Sequence, residues 1–111
     1  MEMERTFVYL KKFSDKLDAL DLTDDDLIPL EKHLSENPSA GSVIRGTGGL
    51  RKLRWTLDTG KSGGIRVLYV DVIVKEQIYM IDVFSKSEKD NLTDAERNAM
   101  KQVVSKLKRG E

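Results

Sequence analysis

Apolar residues recur along this chain with two different periods, and the switch between them marks out its elements. Residues 5–10 (RTFVYL) form a short strand-like run. Phe13, Leu17 and Leu20 then recur at helical spacing and predict a first helix over residues 11–20. Leu27, Leu30 and Leu34 fall at i, i+3 and i+7 and predict a second. Thr23, followed three residues later by Asp26, has the pattern of a capping box, and Asp24, Asp25 and Asp26 suit the positive end of a helix. Pro29 is awkward. With Thr23 as N-cap it lies beyond the first turn and removes one backbone hydrogen bond, which predicts a later start near Asp26 or a kink. Asn37-Pro38 closes the helix.

Beyond the glycines of residues 46–49 the period becomes two. Leu53, Trp55 and Leu57 share a face with Arg51, while Lys52, Arg54 and Thr56 share the other. Residues 65–74 are β-branched and apolar, as in a central strand. A tight turn at Lys75-Glu76 leads to a further strand over residues 77–85 (QIYMIDVFS). Thr93 and Glu96 repeat the capping-box pattern, and Ala95, Ala99, Met100, Val103, Val104 and Leu107 form a helical stripe behind them. The predicted order is β-α-α-β-β-β-α: an N-terminal strand and two helices, an antiparallel meander and a C-terminal helix. Helices gathered before and after a meander read as α+β. At 111 residues the chain is expected to form a single domain, 1–111, with a core large enough to need no staples.

Cysteine is absent, which excludes disulfides and thiolate metal sites. The start, MEMERTFVYL, bears acids where a secretion signal bears cations. The longest apolar run, Val67 to Val70, is far short of the roughly 20 residues a membrane span needs. The expectation is a cytoplasmic protein with no membrane partner.

Charge adds more. The chain is neutral, with 19 basic and 19 acidic residues, yet residues 1–38 hold five bases against ten acids. Arg45, Arg51, Lys52, Arg54, Lys61 and Arg66 crowd one stretch that contains a single acid, Asp58. Cations concentrated on a rigid sheet suit phosphate, although solvated strand faces also carry Lys and Arg. Lys52 and Arg54, two apart, project from one face. Arg66 opens the next strand and is placed to lie beside them, and Lys86 follows the last strand. These four are the candidate set for holding a phosphate and stabilising charge on it, with Arg45, Arg51, Lys61 and Lys89 as further candidate phosphate contacts. Tyr69 and Tyr79 offer either stacking surface or core. By themselves the residues point to an anionic ligand, nucleic acid first.

Other motifs fall away. Gly60-Lys61-Ser62 lacks the upstream glycine of a P-loop, and Gly46-Thr47-Gly48-Gly49 lacks the last glycine of a dinucleotide fingerprint. His33, the only histidine, lies on the second helix, away from the basic strands, and reads as a surface or partly packed residue. The acids at 24–26 lack the alternation and glycine of a calcium loop. No metal site or cofactor is expected.

The blocks Gly46 to Arg54 (GTGGLRKLR), Gly60 to Tyr69 (GKSGGIRVLY) and Lys86 to Thr93 (KSEKDNLT) resemble the RelE/HigB-type toxins of bacterial type II toxin–antitoxin systems. The likeness is greatest to the HigB-like branch of the RelE/ParE superfamily. Elements at Asp24 to Leu27 and Asn37 to Ile44 fit as well, so that only the stretch up to about residue 20 is not covered. The resemblance implies a small microbial-RNase-like α+β fold. It also implies a metal-independent mRNA endonuclease that acts at the ribosomal A site and inhibits translation. The ribose 2′-OH would attack the adjacent phosphorus and the 5′-oxygen would leave. By the same resemblance Lys52 and Arg54 match the paired strand cations, with Lys52 the better general base. Arg66 matches the arginine that grips the scissile phosphate, and Lys86 falls near the cation after the last strand. A C-terminal catalytic tyrosine has no counterpart, since the matching region reads Asn91-Leu92-Thr93. Lys86, Lys61 or a ribosomal group is left as proton donor. The implied partners are the mRNA, the ribosomal A site and a cognate antitoxin of helix-turn-helix type encoded by the adjacent gene. Two rival readings stand beside this one: a ParE-type gyrase inhibitor on the same scaffold, and a degenerate RNA-binding member.

Overall fold

The computed structural model describes residues 5–57, 64–89 and 91–110. Along them run β1 (Thr6–Tyr9), α1 (Lys11–Ala19), α2 (Asp24–Glu36), β2 (Ser42–Val43), β3 (Arg51–Trp55), β4 (Ile65–Val72), β5 (Gln77–Ser85) and α3 (Asp94–Arg109). A 3-10 turn, Ile73–Lys75, joins β4 to β5. The strands make one sheet in the order β1-β5-β4-β3-β2. β3, β4 and β5 form the antiparallel meander that the alternation predicts. β1 adds to it in parallel beside β5, so the sheet is mixed. The α+β class holds. No helix among the described residues is long and apolar enough to cross a membrane.

Helices cover both faces of this sheet. Phe13 from α1 and Leu27, Leu30 and Leu34 from α2 pack with Leu53, Val67, Tyr69 and Met80. On the other face Met100 and Val104 of α3 pack with Leu50, Leu68, Val70 and Ile81. Burial on both sides explains why β4 reads as an unbroken apolar run. Its end comes earlier than residue 74, however. Ile73 and Val74 are 60% and 89% exposed, with no helix over them. Their β-branched side chains carry the strand signal past the point where the sheet has anything to bury. Two-residue β2 is also absent from the predicted order, because it is too short to show a period.

Both capping boxes form. Thr23 and Asp26 exchange side-chain and backbone bonds at the start of α2, and Thr93 and Glu96 do the same for α3. The helix therefore starts at Asp24 and carries Pro29 inside it. Pro29 and Asp25, whose carbonyl loses its helical donor, are both exposed, so solvent can serve that carbonyl.

The β4–β5 register shifts between Leu68 and Tyr69. The shift lets Met80, Asp82 and Val83 all serve the α1/α2 side. Asp82, 2% exposed, accepts ion pairs from Lys12 at 3.2 Å and Lys16 at 2.7 Å. A buried carboxylate persists only when paired in this way. Arg5 grips Asp71 of β4 through Nε at 2.7 Å and a second nitrogen at 3.2 Å.

Candidate phosphate-binding face

The pairing of β3 with β4 sets the geometry. Arg54 stands directly opposite Arg66, and Lys52 opposite Leu68. Cross-strand partners share a face, and residues two apart along a strand do too. Lys52, Arg54 and Arg66 therefore lie together on the face that α3 covers, where Leu68 packs. Arg66 in turn pairs with Phe84 of β5, a member of the same core. The row Arg54–Arg66–Phe84 thus crosses three strands. Arg66 is only 7% exposed, with a guanidinium nitrogen 3.5 Å from the Ile65 carbonyl, whereas Arg54 is open to solvent.

The segment leading into α3 completes this corner. Lys52 donates from Nζ to Asn91 Oδ1 at 3.1 Å. Lys89 pairs with Glu96 and lies 5.3 Å from the centre of the Phe84 ring. Hydrogen bonds from Lys89 and from the Thr93 backbone hold the Glu96 carboxyl down to about 2. Lys86 occupies an exposed turn at the same end of the sheet, its backbone N–H 3.5 Å from the Gly64 carbonyl.

The pairing brings two guanidinium groups, of Arg54 and Arg66, to opposed positions on one face. Each guanidinium offers a planar fork matched to phosphate, and the nearby lysine adds a point charge. The chemistry available here is phosphate binding and stabilisation of charge that develops on phosphorus.

Other candidates lie elsewhere. Arg51 points to the opposite side with Tyr69, its cross-strand partner. Its guanidinium donates to the carbonyls of Ser39 at 3.3 Å and Gly41 at 2.7 Å, so it fastens the loop before β2 and takes no place in the phosphate cluster. Arg45 is exposed on the loop entering β3, beyond the end of the strand remote from Arg54. That glycine loop is closed by the buried Thr47 hydroxyl, which bonds the Ile44 carbonyl and the Leu50 N–H, and by Lys108 of α3, which bonds the Gly48 carbonyl. Its glycines serve the turn. Lys61 lies outside the described residues.

Both tyrosines are core residues. Tyr69 is fully buried, and its hydroxyl accepts from Gly41 N–H and donates to the Pro38 carbonyl, each at 2.8 Å. Burial pushes its pKa up. Tyr79 is 8% exposed and donates to Gln77 at 2.5 Å. His33 packs on Trp55 with ring centres 5.1 Å apart, on the α2 side of the sheet. Sequence reasoning did not select Phe84, Asn91 or Glu96. Phe84 becomes visible only through the bulged β4–β5 register. Asn91 and Glu96 could have been found from the capping box that places the 91–96 segment beside the last strand.

No protein-family model matches this chain. Solved structures do. One is a double arginine-to-alanine mutant of the Escherichia coli toxin RelE in the free state, with a TM-score of 0.58 at 17% identity over 93% of this chain and 98% of that one. The fold is that of RelE. The crystal structure of the isolated E. coli RelE toxin matches with a TM-score of 0.53 at 17% identity, over 89% of this chain and 98% of its own. The intact E. coli RelBE toxin–antitoxin complex matches with a TM-score of 0.53 at 19% identity, over 73% of this chain and 95% of that one.

Proposed function

We propose that this chain is the toxin of a type II toxin–antitoxin pair and a metal-independent endoribonuclease that cuts mRNA in the ribosomal A site. The observation that carries the reading is the opposition of Arg54 and Arg66, with Lys52 on the same face. The RelE-like fold supports it, as do the HigB-like sequence blocks. Acting as general base in its neutral amine form, Lys52 accepts the proton of the ribose 2′-OH as that oxygen bonds to phosphorus. Arg66 and Arg54 bind the phosphate oxygens as negative charge builds on them. The bond from phosphorus to the 5′-oxygen breaks, and that oxygen takes a proton from Lys86, Lys61 or a ribosomal group. The products are a 2′,3′-cyclic phosphate and a 5′-hydroxyl. An antitoxin with a helix-turn-helix domain, encoded beside this chain, restrains it in the cell.

Primer extension on mRNA held in programmed ribosomes tests the reading. Cuts within the A-site codon are expected with the wild-type chain. Intact mRNA together with inhibition of gyrase supercoiling would transfer the protein to the ParE-type reading. RNA binding without cutting would make it a non-catalytic binder.

A further inference from the structure

The acidic excess of residues 1–38 partly lines a cavity of about 370 Å³ among β1, α1 and α2. Leu17 and Leu27 contribute apolar wall, and Tyr9, Asp24, Ile28 and Glu31 border it. Asp24, Ile28 and Glu31 recur at i, i+4 and i+7, so they share one stripe of α2. Ile28 is 60% exposed, an unusual cost for a large side chain between two acids. Tyr9 donates to Glu31, and its pKa is raised by burial and by the Glu31 and Asp24 carboxylates, which places both acids near one hydroxyl. The described residues that line the cavity include no cation.

We propose that this groove docks a cationic amphipathic segment of a partner protein. One apolar side chain of that segment enters beside Leu17, Leu27 and Ile28, while its Lys or Arg side chains meet Asp24 and Glu31. Charge selects the class of occupant. An acidic rim repels RNA phosphate and attracts basic peptide, and the apolar wall adds the anchor that charge alone lacks. The groove belongs to the α1/α2 side of the sheet, whereas Lys52, Arg54 and Arg66 lie on the α3 side. A partner held in the groove leaves the cationic face open. The proposal does not depend on the chemistry assigned to that face.

A fluorescein-labelled helical peptide with leucines on one face and lysines on the other serves as probe, against a version with glutamate for each lysine. Anisotropy is expected to show saturable binding of the lysine peptide alone. Methyl NMR shifts should centre on Ile28 and Leu17. Ile28→Ser, and separately Asp24→Asn with Glu31→Gln, should each weaken binding at least about tenfold, as loss of an interface anchor does. All three positions are at or near the surface, and thermal melts would verify that the variants fold. The proposal is overturned by absent saturation, by shifts centred elsewhere, or by an Ile28→Ser variant that binds normally, which would mean charge attraction without a groove. Self-association abolished by Ile28→Ser would assign the groove to a second copy instead.

Discussion

Arg66 differs from its neighbours in being almost enclosed, at 7% exposure. A buried fork facing Arg54 is preorganised, because little side-chain freedom remains to be lost when phosphate arrives. Arg66→Ala is therefore expected to lower cleavage of ribosome-bound mRNA on the order of 100-fold, and Arg66→Lys to restore little, since an ammonium has no fork. His33→Ala should cut at the wild-type rate, because its ring packs on Trp55 across the sheet. Primer extension with matched circular dichroism reads both; a fully active Arg66→Ala would remove this residue from the mechanism. The shared face of Lys52 and Arg54 was legible in their spacing of two. That Arg66 lies beside them was legible too, from its place at the start of the next strand; its exact pairing with Arg54 was not, because neither strand alone writes the register. Arg51 illustrates the limit from the other side. Its charge suggested phosphate, while the carbonyls of Ser39 and Gly41 that occupy it lie ten or more residues away in sequence.

Among the elements, the helices were the most legible, since their caps are local. Thr93→Ala should destabilise the protein by about 1 kcal/mol in urea titration, the usual cost of a lost N-cap. Glu96 gives this cap a pH dependence. Its folded pKa, about 2, lies below the ordinary 4.5. A depressed carboxyl contributes stability that is complete above its unfolded pKa and is lost as pH falls through the folded one. The Thr93–Glu96 contribution should thus decline from about pH 4.5 toward 2, and Glu96→Gln should flatten that part of the acid titration. Pro29 was harder to read, because the sequence does not say that solvent reaches the Asp25 carbonyl. Pro29→Ala restores the missing donor at an exposed interior position. It should stabilise the protein by roughly 1–3 kcal/mol, detected as a higher urea midpoint. An unchanged midpoint would mean that the proline costs α2 nothing.

On the scale of the whole molecule, Asp82 ties α1 to the middle of the sheet. Lys12→Met together with Lys16→Met strips the buried Asp82 carboxylate of both ion pairs and should cost about 3–5 kcal/mol. Amide exchange should quicken first in α1, whose Lys12 and Lys16 supply the other ends of the link. Exchange that rises evenly across all elements would refute a local tether. Nothing in QIYMIDVFS announces this role. Strict alternation would put Asp82 with Met80 and send Val83 to the other face, and only the register shift seats all three on one side.

The parallel seam between β1 and β5 has a consequence in time. Thr6 meets Gln77, so β1, synthesised before the meander, has no partner until β5 exists. No hairpin can bring parallel strands together. Closing that span costs about 4 kcal/mol of chain entropy by the logarithmic loop rule, whereas far fewer residues separate β3 from β4 and β4 from β5. The meander should therefore form the folding nucleus, and β1 should dock last. In stopped-flow refolding, Val67→Ala is expected to slow folding, while Val8→Ala should leave the folding rate alone and speed unfolding. A nascent chain would carry the uncovered flank of β5 until β1 returned to it, so that a strand made before the meander is the last to be seated beside it.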